Sequence, residues 1–193
     1  AENLREVVKL SREEAQIRAD AKGCSRYDAL LDIFEPDMTS ARLDVLFADL
    51  KSWLPSLLAN VVDKQAQKTL LEPQGPFAIT DQRELGLEAM RVLGFDFDGG
   101  RLDISAHPFC GGVPEDVRIT TRYNENDLLS ALFGVIHETG HARYEQNLPK
   151  AWRGQPVALA RSTAIHESQS LFFEMQLSRS APFLQHILPL VTA

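Results

Sequence analysis

The sequence predicts a mainly helical protein with one small antiparallel sheet at about residues 95–123. Through most of the chain, apolar residues recur every three or four positions, which is the period of one helix face. Between residues 95 and 123 the period shortens to two, the alternation typical of half-buried strands. We therefore expect a helical segment over residues 1–94, a β insert over 95–123, and two further helices over 124–193, together forming a single partial domain.

The first third of the chain predicts two amphipathic helices before a longer one. A helical stripe over residues 4–21 stops at Gly23, a residue that commonly follows a helix C-terminus. Ser25 can then cap a second helix over residues 26–34, because its hydroxyl accepts a hydrogen bond from a backbone N–H of the first turn.

A long apolar helix is predicted to begin at Thr39 or Ser40. Its apolar residues follow the three-and-four spacing of a buried face, so we interpret this face as core. Pro55 lies inside the pattern and predicts a kink or a break, because proline removes a backbone hydrogen bond and clashes with the preceding turn. The apolar positions are Leu43, Leu46, Phe47, Leu50, Trp53, Leu54, Leu57 and Leu58.

A fourth helix and the β insert follow. Asp81 and Glu84 form a plausible capping pair for a helix that reaches Leu93. Within the insert, Gly99-Gly100 and Gly111-Gly112 are turn signals between short extended segments.

Two helices are predicted after the insert. Asn124 or Asn126 can cap a helix that runs to about Asn147. A loop containing prolines and a glycine follows, and a last helix is expected from about residue 158 to 179. The loop is long enough for these two helices to pack side by side.

The composition limits the classes of partner. The chain has 20 Lys and Arg against 27 Asp and Glu, a net charge of −7, so nucleic acid and anionic membranes are unsuitable partners. No apolar run reaches about 18 residues, so no membrane span is expected.

The only cysteines, Cys24 and Cys110, form no CxxC pair and indicate a reducing, cytoplasmic compartment. Because the sequence begins without Met or a signal-peptide pattern, we expect a fragment of a longer chain.

The clearest chemical signal is the HExxH motif His137-Glu138-Thr139-Gly140-His141, inside the predicted helix. Four residues make slightly more than one turn, so both imidazoles leave one face and can share a metal ion. Glu138 follows about 100° round the helix, where it can reach a water molecule rather than the ion. The alternative is a helix with two hydrogen-bonded core histidines and an exposed glutamate.

A zinc hydrolase needs a third protein ligand and one open position. The HExxHxxGxxH pattern is excluded, because Tyr144 and Asn147 stand where Gly and His are required. The remaining pattern takes a glutamate from a separate downstream helix, and Glu167 lies on the next predicted helix. His166 is the competing candidate, although adjacent helix residues point about 100° apart, so only one of the two should face the ion.

A site with two histidines and one glutamate predicts metal-assisted peptide hydrolysis. Zn²⁺ would polarise the scissile carbonyl and activate water, while Glu138 takes the proton and passes it to the leaving amine. A hypothesis from another class is a helical interaction fragment without competent catalysis.

Four motifs occur in order along the chain: His107-Pro108-Phe109, Asp116-Val117-Arg118-Ile119-Thr120, the HExxH motif, and His166-Glu167-Ser168-Gln169. Their order and spacing resemble the M32 metallocarboxypeptidases of the Taq type, and the segment 27–39 resembles another part of that family. The resemblance covers essentially the whole chain and is far more specific than HExxH alone.

This resemblance implies a helical zinc-metallopeptidase fold of the gluzincin class and the removal of single C-terminal residues from peptides. It implies Zn²⁺ as cofactor, with Co²⁺ or another divalent ion as a substitute, and usually a homodimer. By carry-over, His137, His141 and Glu167 are the metal ligands and Glu138 is the catalytic base. The runner-up activity is an endo-acting zinc oligopeptidase.

The resemblance also places His107 and Arg118 near the substrate groove. On an alternating strand, Arg118 shares a face with Asp116, where it could bind a peptide carboxylate. It could equally be an ion-pair partner of Asp116 or solvated. His107 precedes Pro108 and is therefore expected to be extended, which suits a position at the edge of a groove, but a purely structural role is an equal alternative.

One departure from the family concerns length. Members of the family are more than twice as long, and their later IRxxAD and GxxQDxHW motifs do not occur in this sequence. Those motifs are expected to supply the arginine that binds the substrate carboxylate and the groups that stabilise the oxyanion. We therefore expect a truncated catalytic domain that holds the metal site without a complete active site.

Overall fold

A computed structural model describes residues 2–69 and 73–191, and most of these residues are helical. The chain divides into two compact units, residues 1–71 and 72–193. The structure confirms the mainly helical fold class with one small sheet. Its elements are α1 (Glu2–Lys22), α2 (Arg26–Phe34), α3 (Ser40–Ala66), α4 (Ile79–Val92), β1 (Gly100–Ile104), β2 (Phe109–Val113), β3 (Asp116–Thr121), α5 (Leu128–Gln146), α6 (Thr163–Leu171), a π-helical turn (Phe172–Leu177) and α7 (Ala181–Val191).

In the first unit, α1 and α2 pack through small side chains. Ala15 and Ala19 of α1 and Ala29 of α2 are buried. The predicted cap of α2 is confirmed, because the Ser25 hydroxyl accepts a hydrogen bond from the Asp28 N–H at 3.0 Å. The Asp28 carboxylate in turn accepts the Ser40 N–H at 2.7 Å, which ties the start of α3 to α2.

Helix α3 differs from the prediction in two respects. It runs without a break through Pro55, because one lost backbone hydrogen bond does not outweigh the bonds on both sides of it. Its apolar face is exposed rather than buried: Phe47 is 51% exposed and Leu57 is 49% exposed. The three-and-four period is present as predicted, but none of the described residues buries this face.

Among the described residues, α3 is also the one helix that is long and apolar enough to cross a membrane, judged by length and composition only. A single helix of this kind is weak evidence for a span, because long core helices meet the same criteria. The absence of a membrane partner stays a prediction.

In the second unit, α5 lies between two buried apolar clusters. One cluster joins α4, the sheet and α5, and includes Met90, Ile119 and Val135. The other joins α4, α5 and α7, and includes Ile136 and Phe183. Because consecutive residues of α5 enter different clusters, this helix is held from both sides.

The sheet is mixed rather than purely antiparallel, and its strand order is β1-β3-β2. Strands β2 and β3 form the expected antiparallel hairpin, whereas β1 pairs parallel with β3. The predicted turn at Gly111-Gly112 is wrong, because both glycines lie within β2 and Val113 already pairs with Asp116. Alternation along a strand determines which face a side chain takes, but it does not determine the direction of the neighbouring strand.

Three predicted helix starts also differ in the structure, since α6 begins at Thr163 rather than near residue 158. Helix α4 begins at Ile79, with Ala78 at the capping position and no side-chain cap, so Asp81 lies inside the first turn. Helix α5 is capped by Asp127, whose carboxylate accepts the Ser130 N–H at 3.0 Å. Asn124 instead accepts a hydrogen bond from the N–H of Asn126 within the loop. The sequence offered several capping residues within a few positions of each other.

Helices α5 and α6 make a very close contact at Gly140. A Cβ atom added at Gly140 would lie 2.6 Å from the Ser170 Cα and 3.1 Å from the Gln169 carbonyl oxygen. The Gln169 side-chain amide also donates to the Gly140 carbonyl at 3.2 Å. Glycine is therefore required here because the backbones of two helices meet, which accounts for its otherwise unfavourable place in a helix interior.

We expect Gly140→Ala to destabilise the protein. Overpacking costs about 1–3 kcal/mol, and the gain in helix propensity is about 1 kcal/mol, so the net change should be unfavourable. Gly134→Ala on the same helix is the matched control, because its added Cβ would meet only Pro108 at 3.7 Å and Thr121 at 4.0 Å. Urea unfolding measures both variants, and equal stability of Gly140→Ala and the parent protein would contradict this account.

Candidate metal centre

Helix α5 places the two histidines of the HExxH motif side by side. The ring centroids of His137 and His141 are 5.0 Å apart, as expected for residues separated by four positions on one face. Glu138, the next residue after His137, is only 8% exposed. The two imidazoles thus lie on one helix face, as the motif predicts.

Glu167 on α6 faces both histidines. Its two carboxylate oxygens lie 3.1 Å from the His141 Nε2 and 3.8 Å from the His137 Nε2. One donor atom from each of the three residues lies within 4.8 Å of the others. The structure therefore brings together His137, His141 and Glu167, the set that the sequence suggested.

The chemistry of this donor set fits a zinc ion. Zinc binds imidazole nitrogen and carboxylate oxygen at about 2.0–2.2 Å, so tetrahedral ligands lie roughly 3.4 Å from one another. The two Glu167 oxygens lie 3.1 and 3.8 Å from the imidazole nitrogens that they face, and one donor atom from each residue lies within 4.8 Å of the others, so the three residues are close enough to share one ion. Two neutral imidazoles and one carboxylate also leave a fourth position for solvent or substrate, as in catalytic rather than structural zinc sites.

The outward nitrogen of His137 is held by a carboxylate. The His137 Nδ1 and the Glu174 Oε2 are 3.0 Å apart, and Glu174 also accepts a hydrogen bond from Arg179 at 3.1 Å. The Arg179 guanidinium lies over the Phe133 ring, 4.3 Å from its centroid. A carboxylate on the second nitrogen fixes the ring so that Nε2 points inward.

The outward nitrogen of His141 meets another imidazole. The His141 Nδ1 lies 2.7 Å from the His166 Nδ1, and the His166 Nε2 lies 2.8 Å from the Glu145 Oε1. The His166 ring also stacks on Tyr144, with centroids 4.4 Å apart. His166, the competing third ligand in the sequence, thus has one nitrogen against the outer nitrogen of His141 and the other against Glu145.

A cleft of about 580 Å³ opens beside the motif. Burial raises the pKa of the Glu138 carboxyl; the His137 charge opposes this shift and the Glu167 charge adds to it. A carboxylate with a raised pKa inside a cleft is suited to exchange protons near neutral pH. The residues that line the cleft are Pro108, Asp127, Leu129, Ser130, Phe133, Gly134, His137, Glu138, Glu174 and Arg179.

The His141 imidazole strongly favours its neutral form. Burial, followed by the neighbouring His166 and His137, lowers its pKa to about 4, and Glu167 only partly opposes the shift. A metal ligand must be deprotonated, so this environment prepares His141 to bind an ion.

Of the two predicted substrate residues, Arg118 forms a bidentate ion pair with Asp116, with its shortest N–O distance 2.7 Å. This is the ion-pair alternative that the sequence left open. His107 is exposed, and its carbonyl accepts the Thr120 hydroxyl at 2.9 Å. Neither residue belongs to the three-residue group, although Pro108, next to His107, lines the cleft.

Cys110 lies on β2 near the motif helix. Burial raises the pKa of its thiol to about 12, with the charges of Glu138 and Glu145 adding to the effect. The thiol is therefore protonated at neutral pH and is unsuited to act as a nucleophile.

Sequence reasoning missed Glu174, Arg179 and Glu145. Two signals could have found the two glutamates. Glu145 follows His141 by four positions and so shares its helix face. Glu174 follows Glu167 by seven positions, which is close to two helical turns.

Comparison with known proteins gives a consistent result. The family model for "Carboxypeptidase Taq (M32) metallopeptidase" matches residues 1–193. Carboxypeptidase 1 of Bacillus subtilis is 46% identical over 158 residues, which are 81% of this chain and 32% of that protein. Thermostable carboxypeptidase 1 of Thermus thermophilus is 39% identical over 194 residues, which cover 96% of this chain and 38% of that protein.

Solved structures agree with these relatives. Metallocarboxypeptidase 1 of Trypanosoma cruzi is 54% identical and superposes with a TM-score of 0.86, covering 96% of this chain and 38% of that one. The chain spans about a third of the length of the relatives that it matches.

In the metal-free protein, we expect His141 to remain neutral at about pH 5.5, where an ordinary histidine with a pKa of about 6.5 is mostly protonated. The reason is burial next to two other imidazoles, which disfavours a further positive charge. Nitrogen NMR of the imidazoles across the acid range measures this titration. A midpoint at or above 6.5 would show that the environment described here does not exist in solution.

Proposed function

Since this chain belongs to the carboxypeptidase Taq (M32) metallopeptidase family, we propose that it supplies the zinc centre of a carboxypeptidase that removes single residues from the C-terminus of peptides. The observation that carries the proposal is the convergence of His137, His141 and Glu167 within 4.8 Å. These residues come from two different helices, so sequence proximity does not explain their meeting.

In this proposal His137, His141 and Glu167 hold the zinc ion. When bound, zinc supplies Lewis-acid chemistry, polarising the scissile carbonyl and making water more acidic. Each histidine presents Nε2 inward because its Nδ1 is engaged by an outer partner. The protein therefore arranges the donors before the ion arrives, which reduces the free energy needed for reorganisation.

We assign the general base to Glu138. Its carboxylate lines the same cleft as His137 and does not belong to the three-residue donor group, so it remains free to take a proton from water. Burial raises its pKa, which makes it a better base at neutral pH than an exposed glutamate. It then returns the proton to the leaving amine.

His107 and Arg118 remain proposed substrate residues on the strength of the family motifs. The ion pair with Asp116 leaves Arg118 half exposed, so a peptide carboxylate could still reach its guanidinium. We further propose a homodimeric, cytoplasmic protein. The resemblance supports the dimer, and the free thiols of Cys24 and Cys110 support a reducing compartment.

We expect the full-length protein to bind one zinc ion per chain and Glu138→Gln to retain it. Activity should fall by about 10²–10⁴-fold in this variant, because the general base is lost while the ligands are intact. Metal analysis and peptide hydrolysis measure the two effects. Glu84→Gln, at a side chain 65% exposed on α4, is the control and should match the parent protein. Loss of zinc from Glu138→Gln would contradict the proposal that Glu138 acts as the general base without binding the metal.

Product analysis distinguishes carboxypeptidase from endo-acting chemistry. We expect the full-length protein to release single C-terminal residues stepwise from a peptide with a free carboxylate. An otherwise identical peptide with an amidated C-terminus should be cleaved far more slowly, because the terminal charge is removed. Mass spectrometry of timed samples reads both reactions, and internal cuts in both peptides would favour the oligopeptidase alternative.

A further inference from the structure

The two histidines of the centre are supported in different ways. His137 reaches a carboxylate directly, at 3.0 Å from Glu174. His141 reaches one only through a second imidazole: His166 lies 2.7 Å from His141 and 2.8 Å from Glu145. The side chains of His166 and Glu145 are 17% and 27% exposed, so this chain of contacts is largely shielded from water.

The contacts determine where the protons must lie when the ion is bound. If the His141 Nε2 faces the ion, its remaining proton is on Nδ1. That N–H can donate only to an unprotonated nitrogen, so the His166 Nδ1 accepts it. The His166 proton is then on Nε2, from which it donates to the Glu145 carboxylate. Every donor in this chain meets an acceptor.

We propose that His166, backed by Glu145, is a positioning residue that holds the His141 ring in the orientation and tautomer needed to bind zinc. The proposal rests on the zinc centre proposed above. It gives His166 a role beside the ion but outside the ligand set, next to the ligand Glu167 in the same helix.

The packing around His166 supports this role. Its ring stacks on Tyr144, which keeps the plane of the imidazole fixed. Glu145 and His141 share one face of α5, and the His166 ring enters between them from α6. This arrangement requires the close contact of α5 and α6 at Gly140. Three separate contacts thus orient a side chain that is not itself a ligand.

The test compares the zinc affinity of variants of the full-length protein by competition with a chelator at one neutral pH. His166→Phe keeps an aromatic ring against Tyr144 but removes both nitrogens, so the dissociation constant for zinc should rise about 10–100-fold. His166→Asn places an amide oxygen near the position of Nδ1 and should recover most of the affinity. Glu145→Gln should weaken binding less than His166→Phe, and Glu84→Gln should leave it unchanged.

The outcomes separate this proposal from the proposed function. If the parent protein binds no zinc, the proposed function itself fails. If the parent binds zinc and His166→Phe binds it as tightly, only the positioning role fails. The role is also overturned if His166→Asn is as weak as His166→Phe, because the acceptor would then not matter.

A second measurement needs no substitution and decides the question if His166→Phe does not fold. Nitrogen NMR of the zinc-loaded protein should show His166 with Nδ1 unprotonated and Nε2 protonated. A His166 ring with a proton on Nδ1 could not accept from His141 and would overturn the proposal.

Discussion

The centre depends on the contact between two helix backbones at Gly140. Any side chain larger than hydrogen would separate α5 from α6, because the added carbon would lie 2.6 Å from the Ser170 Cα. Glu167 and His166 lie on α6 within one turn of that contact, so their distances to His141 depend on it directly. The apolar clusters on both sides of α5 then keep this helix from moving to relieve any strain.

Around that contact, the polar side chains form a connected set. Each of the two motif histidines has a partner on Nδ1, and the partners Glu174 and His166 are themselves bonded to Arg179 and Glu145. Burying imidazoles and carboxylates in a packed unit is costly unless their hydrogen bonds are satisfied. The hydrogen bonds on the two Nδ1 atoms offset this cost, and they also orient the two Nε2 atoms toward Glu167. Stability and orientation of the site therefore have a common origin.

Much of this site could be predicted from the sequence, because helical spacing alone places His137 and His141 on one face with Glu138 turned aside. Because adjacent residues on a helix point in different directions, only one of Glu167 and His166 was expected to face the ion, and the family resemblance favoured Glu167. The outer partners were not found, because Glu174 and Glu145 belong to no motif and acquire a role only when α5 and α6 pack. The direction of β1 and the exposed face of α3 were missed for a related reason. Local periodicity determines which face of a helix or strand is apolar, whereas the elements that pack against that face depend on the tertiary arrangement.

Among the described residues, the donor group of His137, His141 and Glu167 contains no sulfur, which has a consequence for the ions that suit it. Cys110, on the neighbouring strand β2, is protonated at neutral pH, because burial raises the pKa of its thiol and the charges of Glu138 and Glu145 add to the effect. Softer ions such as copper(I) are selected by thiolate and thioether donors, whereas nitrogen and oxygen donors suit zinc and harder ions. The nitrogen and oxygen donors of this group therefore suit zinc and harder ions rather than copper(I).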